Sequence, residues 1–66
     1  MEGEKTPASF TVGQRVQAHP GTDAWIFGDR YGEVVRVGRK WVHVRMDRSG
    51  RTLRFHPQRL LEVSSG

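Results

Sequence analysis

The fold of this chain is decided by one stretch of alternating side chains, Lys40-Trp41-Val42-His43-Val44-Arg45-Met46. Val42, Val44 and Met46 occupy every second position, and aromatic or charged residues stand between them. A period of two residues is typical of a β-strand, in which successive side chains point to opposite faces of the sheet. No part of the chain shows helical spacing of apolar residues over three turns. The sequence therefore predicts an all-β protein.

Strands are expected on both sides of this stretch, each reached through a short turn. Upstream, Tyr31-Gly32-Glu33-Val34-Val35-Arg36-Val37 is rich in β-branched residues, and Gly38-Arg39 fits a two-residue hairpin turn. Downstream, the loop Asp47-Arg48-Ser49-Gly50 leads into the strand Arg51-Thr52-Leu53-Arg54-Phe55-His56. That strand ends at Pro57 because proline removes a donor from the hydrogen-bond ladder.

The remaining elements are a first strand, a long loop and a short last strand. The first strand is predicted over 13–18, and the loop from His19 to Arg30 is opened by Pro20-Gly21. One 3₁₀ turn is expected over 57–60, and a last strand over 61–63. The predicted architecture is five strands with one 3₁₀ turn before the last strand.

The length of 66 residues allows one small domain. Residues 1–9 are expected to form a disordered arm, residues 10–63 the folded domain and residues 64–66 a frayed end. The opening Met-Glu-Gly-Glu-Lys lacks the basic and then apolar pattern of a signal peptide, so a cytoplasmic location is expected.

The order of the predicted elements resembles the small SH3-like barrel over residues 10–63. Two segments carry the resemblance, Val12-Gly13-Gln14-Arg15-Val16 and Gly32-Glu33-Val34-Val35-Arg36-Val37. They look like the opening strand, and the strand after the long loop, of KOW-type and Tudor-type barrels. The resemblance implies a five-stranded barrel and a setting among nucleic-acid-binding and ribosome-associated proteins. Because this fold hosts many functions, the function has to be argued from side chains.

The two turns set the strand register and thereby the two faces of the sheet. A two-residue turn pairs Val35 with Val42, and a four-residue loop pairs Val42 with Phe55. Glu33 also falls on the inner face, which predicts a bulge near Gly32. The predicted inner face is Val35, Val42, Val44, Leu53 and Phe55. The predicted outer face has a row of Arg36, Trp41 and His56, then a row of Val34, His43 and Arg54, with Arg45 and Thr52 beside them.

Positive charge is concentrated in one part of the chain. The formal net charge is +4, but residues 36–59 alone hold eight cations against the single carboxylate of Asp47, a charge of +7. Arg36 or Arg54 is expected to stack on Trp41 as a cation–π pair. A basic sheet face around an aromatic ring is used by proteins that bind single-stranded nucleic acid, because cations follow phosphates and the ring stacks on a base.

The leading hypothesis is a non-enzymatic protein that binds single-stranded or structured RNA or DNA without strong sequence preference. Charged residues also cover the solvent-exposed face of any small antiparallel sheet, so the outward Trp41 is the more specific sign. The candidate nucleic-acid-binding residues are Arg36, Arg39, Lys40, Trp41, His43, Arg45, Arg48, Arg51, Arg54 and His56.

Two other classes of function stay open. The first is a groove for an acidic protein partner, formed by aromatic residues of the long loop and the basic face. Its candidate residues are Trp25, Phe27, Tyr31 and Trp41. Against it stands a structural interpretation, favoured for Ile26 and Phe27, in which these two residues close the end of the barrel. The second is a homo-oligomer formed through Trp41.

Catalysis, a metal and a cofactor are not expected. The three histidines match no metal-ligand spacing, and the chain has no cysteine. The chain also resembles the plasmid-borne type II dihydrofolate reductases, SH3-like barrels of similar length with the active segment Val-Gln-Ile-Tyr-Pro. The corresponding Leu53-Arg54-Phe55-His56-Pro57 lacks the Gln and Tyr that hold folate and cofactor, so this activity is not implied. No apolar run approaches the roughly 18 residues of a membrane span, and no membrane partner is expected.

Overall fold

A single antiparallel sheet of five strands forms the framework of the protein. The computed structural model describes residues 6–63, so the predicted frayed end 64–66 and the first five residues of the predicted arm lie outside the described residues. The strands are β1 (Arg15–Ala18), β2 (Tyr31–Val37), β3 (Val42–Met46), β4 (Thr52–Phe55) and β5 (Leu60–Glu62). Their order across the sheet is β4-β3-β2-β1-β5. The prediction of an all-β fold with five strands is confirmed, and because hydrogen bonds do not close the sheet, the barrel is loose.

Two connections between strands contain a short helical segment. The 3₁₀ turn Pro57–Arg59 precedes β5, as predicted, and His56 Nδ1 accepts a hydrogen bond from the Gln58 N–H at its start. The predicted long loop contains a one-turn helix, α1 (Asp23–Ile26), capped by the Thr22 hydroxyl, which accepts from the Trp25 N–H at 3.4 Å. A helix of one turn is too short to show apolar periodicity, so the sequence did not indicate it.

The core lies against one face of the sheet. Four core residues come from outside strands β2, β3 and β4: Phe10, which follows a 3₁₀ turn at Pro7–Ser9, Val16 and Ala18 of β1, and Leu60 of β5. Among the described residues, no helix has the length and apolar character needed to cross a membrane. The buried apolar residues are Phe10, Val16, Ala18, Val34, Val42, Val44, Met46, Phe55 and Leu60.

The predicted register between β3 and β4 is confirmed. Val42 lies opposite Phe55, and Val44 lies opposite Leu53. The Met46 N–H donates to the Arg51 carbonyl at 2.8 Å and closes the four-residue loop. Val42, Val44 and Phe55 are buried as predicted, and half-buried Leu53 packs against them.

The predicted register between β2 and β3 is wrong. The turn holds four residues, 38–41, and is closed by the Gly38 N–H, which donates to the Trp41 carbonyl at 2.9 Å. Val37 therefore pairs with Val42 rather than with Lys40. A bulge between Val34 and Arg36 then shifts the pairing of β2 with β3 by one residue. Because the bulge adds one residue, Val34 is fully buried, whereas Val35 is only partly buried.

The bulge lies between Val34 and Arg36 and not near Gly32, where it was predicted. Glu33 pairs with Arg45 and points away from the core, so no inward carboxylate has to be accommodated. Gly32 is instead a site of close strand contact, because a Cβ there would lie 2.6 Å from the Arg45 carbonyl oxygen. Glycine allows β3 to approach β2 at this point.

Candidate nucleic-acid interface

The outer face of the sheet carries a row of three basic side chains across β2, β3 and β4. His43 of β3 lies opposite Arg36 on one side and opposite Arg54 on the other. The predicted row of Arg36, Trp41 and His56 is not formed, because the longer turn removes Trp41 from the strand pairing. The arginines are exposed and His43 is half-buried, so this row presents guanidinium groups to solvent.

Trp41 ends the turn between β2 and β3, and its half-buried ring is held by two neighbours. The guanidinium carbon of Arg54 lies 5.0 Å from the centroid of the indole ring, which confirms the predicted cation–π pair for this arginine. The His56 imidazole meets the indole edge-on, with centroids 6.1 Å apart and planes at 87°. Trp41 is thus fixed in position by side chains of β4 and of the residue after it.

An open cleft of about 600 Å³ adjoins this ring. One part of its lining is the chain from Gly21 to Ala24 at the start of α1, and the other part includes Trp41, Arg54, His56 and Arg59. We call this space the tryptophan cleft. It results from the approach of the long loop to the edge strand β4, and it places an aromatic ring and two arginines around one concave surface.

A second, smaller cleft of about 390 Å³ begins at His56. Arg39 and Lys40 line it together with Thr6, Pro7 and the 3₁₀ turn at Pro57, and we call it the arm cleft. The two clefts share His56. The clefts therefore bring together five of the predicted nucleic-acid-binding residues: Arg39, Lys40, Trp41, Arg54 and His56.

Arg59 also lines the tryptophan cleft, although the sequence interpretation did not select it as a site residue. It follows Pro57 and stands outside the predicted sheet face. The signal that points to it is its place at the end of the basic stretch 36–59.

Arg48 and Arg51 lie outside both clefts. The Arg48 guanidinium lies directly over Gly28, and the neighbouring Ser49 hydroxyl donates to the buried Asp29 carboxylate at 3.0 Å. These contacts tie the loop between β3 and β4 to the segment after α1. The structure consequently does not bring these two predicted residues together with Trp41.

Within residues 6–63, two arginines form ion pairs with carboxylates. Arg15 binds Asp47 through both terminal guanidinium nitrogens: Nη1 donates to Oδ1 at 3.0 Å, and Nη2 donates to Oδ2. This hydrogen-bonded pairing holds the pKa of Asp47 below its ordinary value and raises the pKa of Arg15. Arg45 lies 4.0 Å from Glu33, so its charge is partly compensated.

The positive charges of the clefts are not compensated by carboxylates. The cations that line the clefts are Arg39, Lys40, Arg54 and Arg59. Within residues 6–63, none of these four forms an ion pair with a carboxylate. Their charge is available to an anion from outside the protein.

Ile26 and Phe27 of the long loop do not close the barrel. The side chains of Ile26 and Phe27 are 72% and 77% exposed, so the interpretation that these two residues plug the barrel end is wrong. They fall at the end of the one-turn helix, before Gly28 reverses the chain with a φ of +95°. The apolar contact with the core is made by Ala24 instead.

The residues of the predicted protein-binding groove are dispersed. Trp25 is half-buried with the Arg30 guanidinium carbon 4.4 Å from its ring centroid, and Tyr31 is 47% exposed at the start of β2. Trp25, Phe27 and Tyr31 line neither of the two clefts, whereas Trp41 lines the larger one. In the described part of the chain, no group of three or more potential ligands is arranged to hold a metal ion.

Comparison with known proteins identifies one family. The family described as Phage ProQ C-terminal-like domain matches residues 1–65, and no match to an SH3-like, KOW or Tudor family accompanies it. No curated protein and no solved structure matches the chain significantly. The five-stranded sheet is compatible with the small barrel that the sequence predicted. The chain belongs to the Phage ProQ C-terminal-like domain family.

Proposed function

We propose that this protein binds single-stranded RNA through the tryptophan cleft and the arm cleft and performs no catalysis. The observation that carries the proposal is the shared position of Trp41, Arg54 and Arg59 around one open concave surface. The association of ProQ-like domains with RNA binding supports the choice of RNA.

Stacking on Trp41 is the first element of this function. The indole ring lines the cleft, and the Arg54 guanidinium lies at stacking distance from this ring. A base that enters the cleft adds its ring to this stack, and every base has a face suited to such a contact. Because the cleft is a pocket at the edge of the sheet, it suits one unstacked base rather than the surface of a duplex.

Phosphate contact is the second element. Since His56 belongs to both clefts, a strand whose base lies on Trp41 continues past His56 toward Arg39 and Lys40. These two cations are exposed and form no ion pair within residues 6–63. They are suited to successive phosphates of an extended chain.

The test separates stacking from charge. Trp41→Ala is expected to weaken binding of a short oligouridine by about 1–3 kcal/mol, because stacking is lost, while the dependence of affinity on salt stays the same. Arg54→Ala is expected to make that dependence shallower by about one contact. Fluorescence anisotropy at several salt concentrations measures both effects.

Arg51→Ala is the matched control, because it removes the same charge from outside both clefts. It should weaken binding less than Arg54→Ala. The amide NMR spectrum of each variant reports whether the fold is retained. The proposal is wrong if Trp41→Ala binds the oligouridine as well as the unmodified protein does. It is equally wrong if the cleft residues show no NMR shifts when RNA is added at low salt.

A further inference from the structure

One carboxylate lines the tryptophan cleft among the cations. Asp23 is the first residue of α1, and its exposed side chain belongs to the part of the lining that the long loop supplies. Within residues 6–63 nothing forms an ion pair with this carboxylate or donates a hydrogen bond to it. Arg54 lies over the Trp41 ring instead, and Arg59 forms no ion pair with any carboxylate of the described residues.

Three other carboxylates near the sheet and loops have protein partners. Asp47 is bound by Arg15, Glu33 lies near Arg45, and Asp29 accepts from Ser49. Among the described residues, Asp23 differs from these three because its carboxylate accepts no hydrogen bond and borders a ligand-sized space. An acceptor of this kind is open to hydrogen-bond donors of a ligand.

We infer that the tryptophan cleft prefers guanine and that the Asp23 carboxylate accepts hydrogen bonds from the guanine N1–H and N2 amino group. This inference rests on the proposed RNA binding and adds a base preference to it. Guanine presents two adjacent donors on its Watson–Crick edge, which match the two oxygens of a carboxylate. Adenine, cytosine and uracil each place an acceptor beside their donor on that edge, and a carboxylate repels this acceptor.

The charges around the cleft also favour an orientation of the nucleotide in which the base edge faces Asp23. Asp23 repels phosphates, whereas Arg59 and the cations of the arm cleft attract them. The backbone therefore runs on the cationic side, and the base edge points toward the long loop. Trp41 stacks on any base, and Asp23 supplies the discrimination at this one position.

The first experiment varies the ligand and leaves the protein unchanged. Affinities are measured for a uridine hexamer and for hexamers with guanosine, adenosine, inosine or 7-deazaguanosine at one central position. Guanosine is expected to bind about tenfold more tightly than adenosine, as for other bidentate base contacts. Inosine lacks the N2 amino group and should lose most of this gain, whereas 7-deazaguanosine keeps the Watson–Crick edge and should retain it.

The second experiment varies the protein. Asp23→Asn should abolish the preference for guanosine over adenosine while binding to the uridine hexamer is kept or strengthened, because a negative charge is removed. Glu62→Gln is the control, since it removes the same charge from an exposed position on β5 that lines neither cleft. It should leave the preference unchanged.

Two results would overturn the inference. One is equal affinity of the unmodified protein for guanosine and adenosine hexamers while the uridine hexamer binds, which would leave the proposed RNA binding intact. The other is an Asp23→Asn variant that keeps the guanosine preference. If none of the hexamers binds, the proposed function fails and the base preference fails with it.

Discussion

The Arg15–Asp47 pair shows how single residues shape the surface charge of this protein. Asp47 is the only carboxylate within the basic stretch 36–59, and Arg15 comes from β1, far away in sequence. The pairing compensates Asp47 with a cation from outside that stretch.

The pair should also make a small, pH-dependent contribution to stability. Its side chains are 44% and 49% exposed, so a coupling of only about 0.2–1 kcal/mol is expected near neutral pH. Because the pKa of Asp47 is lowered in the folded state, this stabilisation is present above the ordinary carboxyl value of 3.8 and is lost as the pH falls through the lower folded value.

A double-mutant cycle with Arg15→Gln and Asp47→Asn, measured by urea unfolding between about pH 7 and pH 2, tests this expectation. The coupling energy should shrink toward zero only in the acidic part of that range. A coupling energy that stays constant across the range would contradict the assignment.

At the scale of the element, β4 is the strand on which the site depends. It lies at the edge of the five-stranded sheet beside β3 and carries Arg54, which lines the tryptophan cleft. The Met46 N–H donates to the Arg51 carbonyl, so Val44–Leu53 is the next hydrogen-bonded pair of the ladder. It follows that the Thr52 N–H points away from β3, toward the open edge.

This alternation predicts opposite tolerance for proline at two adjacent positions. Leu53→Pro removes a ladder donor and should destabilise the fold by about 1–3 kcal/mol more than Leu53→Ala, which removes the side chain alone. Thr52→Pro should cost less than this difference, since proline is accepted where an edge N–H faces solvent. Thermal unfolding of the three variants measures the order. Equal losses for the two proline variants would show that the hydrogen-bonding pattern is assigned incorrectly.

The sequence predicted some elements well and others poorly, for physical reasons. The register of β3 and β4 was predictable because loop length and alternation agree on it. The register of β2 was not, because Val34 and Val35 are both apolar and alternation does not say which one faces the core. The exposure of Phe27 could not be predicted either. A one-turn helix is too short for apolar periodicity to indicate which of its side chains face the core.

The candidate site was predictable in the same uneven way. Trp41, Arg54 and His56 were grouped from strand pairing alone, which is a local property of the hairpin. The sequence pattern does not place Asp23 and Arg59 at this site, because they come together only when the long loop approaches β4. This contact depends on tertiary packing between segments far apart in sequence.

At the scale of the whole molecule, the core is small and draws on both ends of the described chain. A domain of 66 residues has a free energy of unfolding on the order of 3–10 kcal/mol, so each large buried side chain carries a substantial share. Phe10 is 4% exposed, and its N–H donates to the Pro7 carbonyl at 3.0 Å. The segment before β1 is in this way part of the folded domain.

Two phenylalanines provide a matched test of this arrangement. Phe10→Ala should destabilise the protein by about 3–5 kcal/mol, because it removes a buried aromatic ring and leaves a cavity. Phe27→Ala makes the same chemical change at a side chain that is 77% exposed, and it should alter stability by less than about 0.5 kcal/mol. Urea unfolding followed by tryptophan fluorescence gives both values. If Phe27→Ala proved as costly as Phe10→Ala, Phe27 would have to be buried in solution, for instance against a second copy of the chain. A dependence of its unfolding midpoint on protein concentration would then reveal that contact.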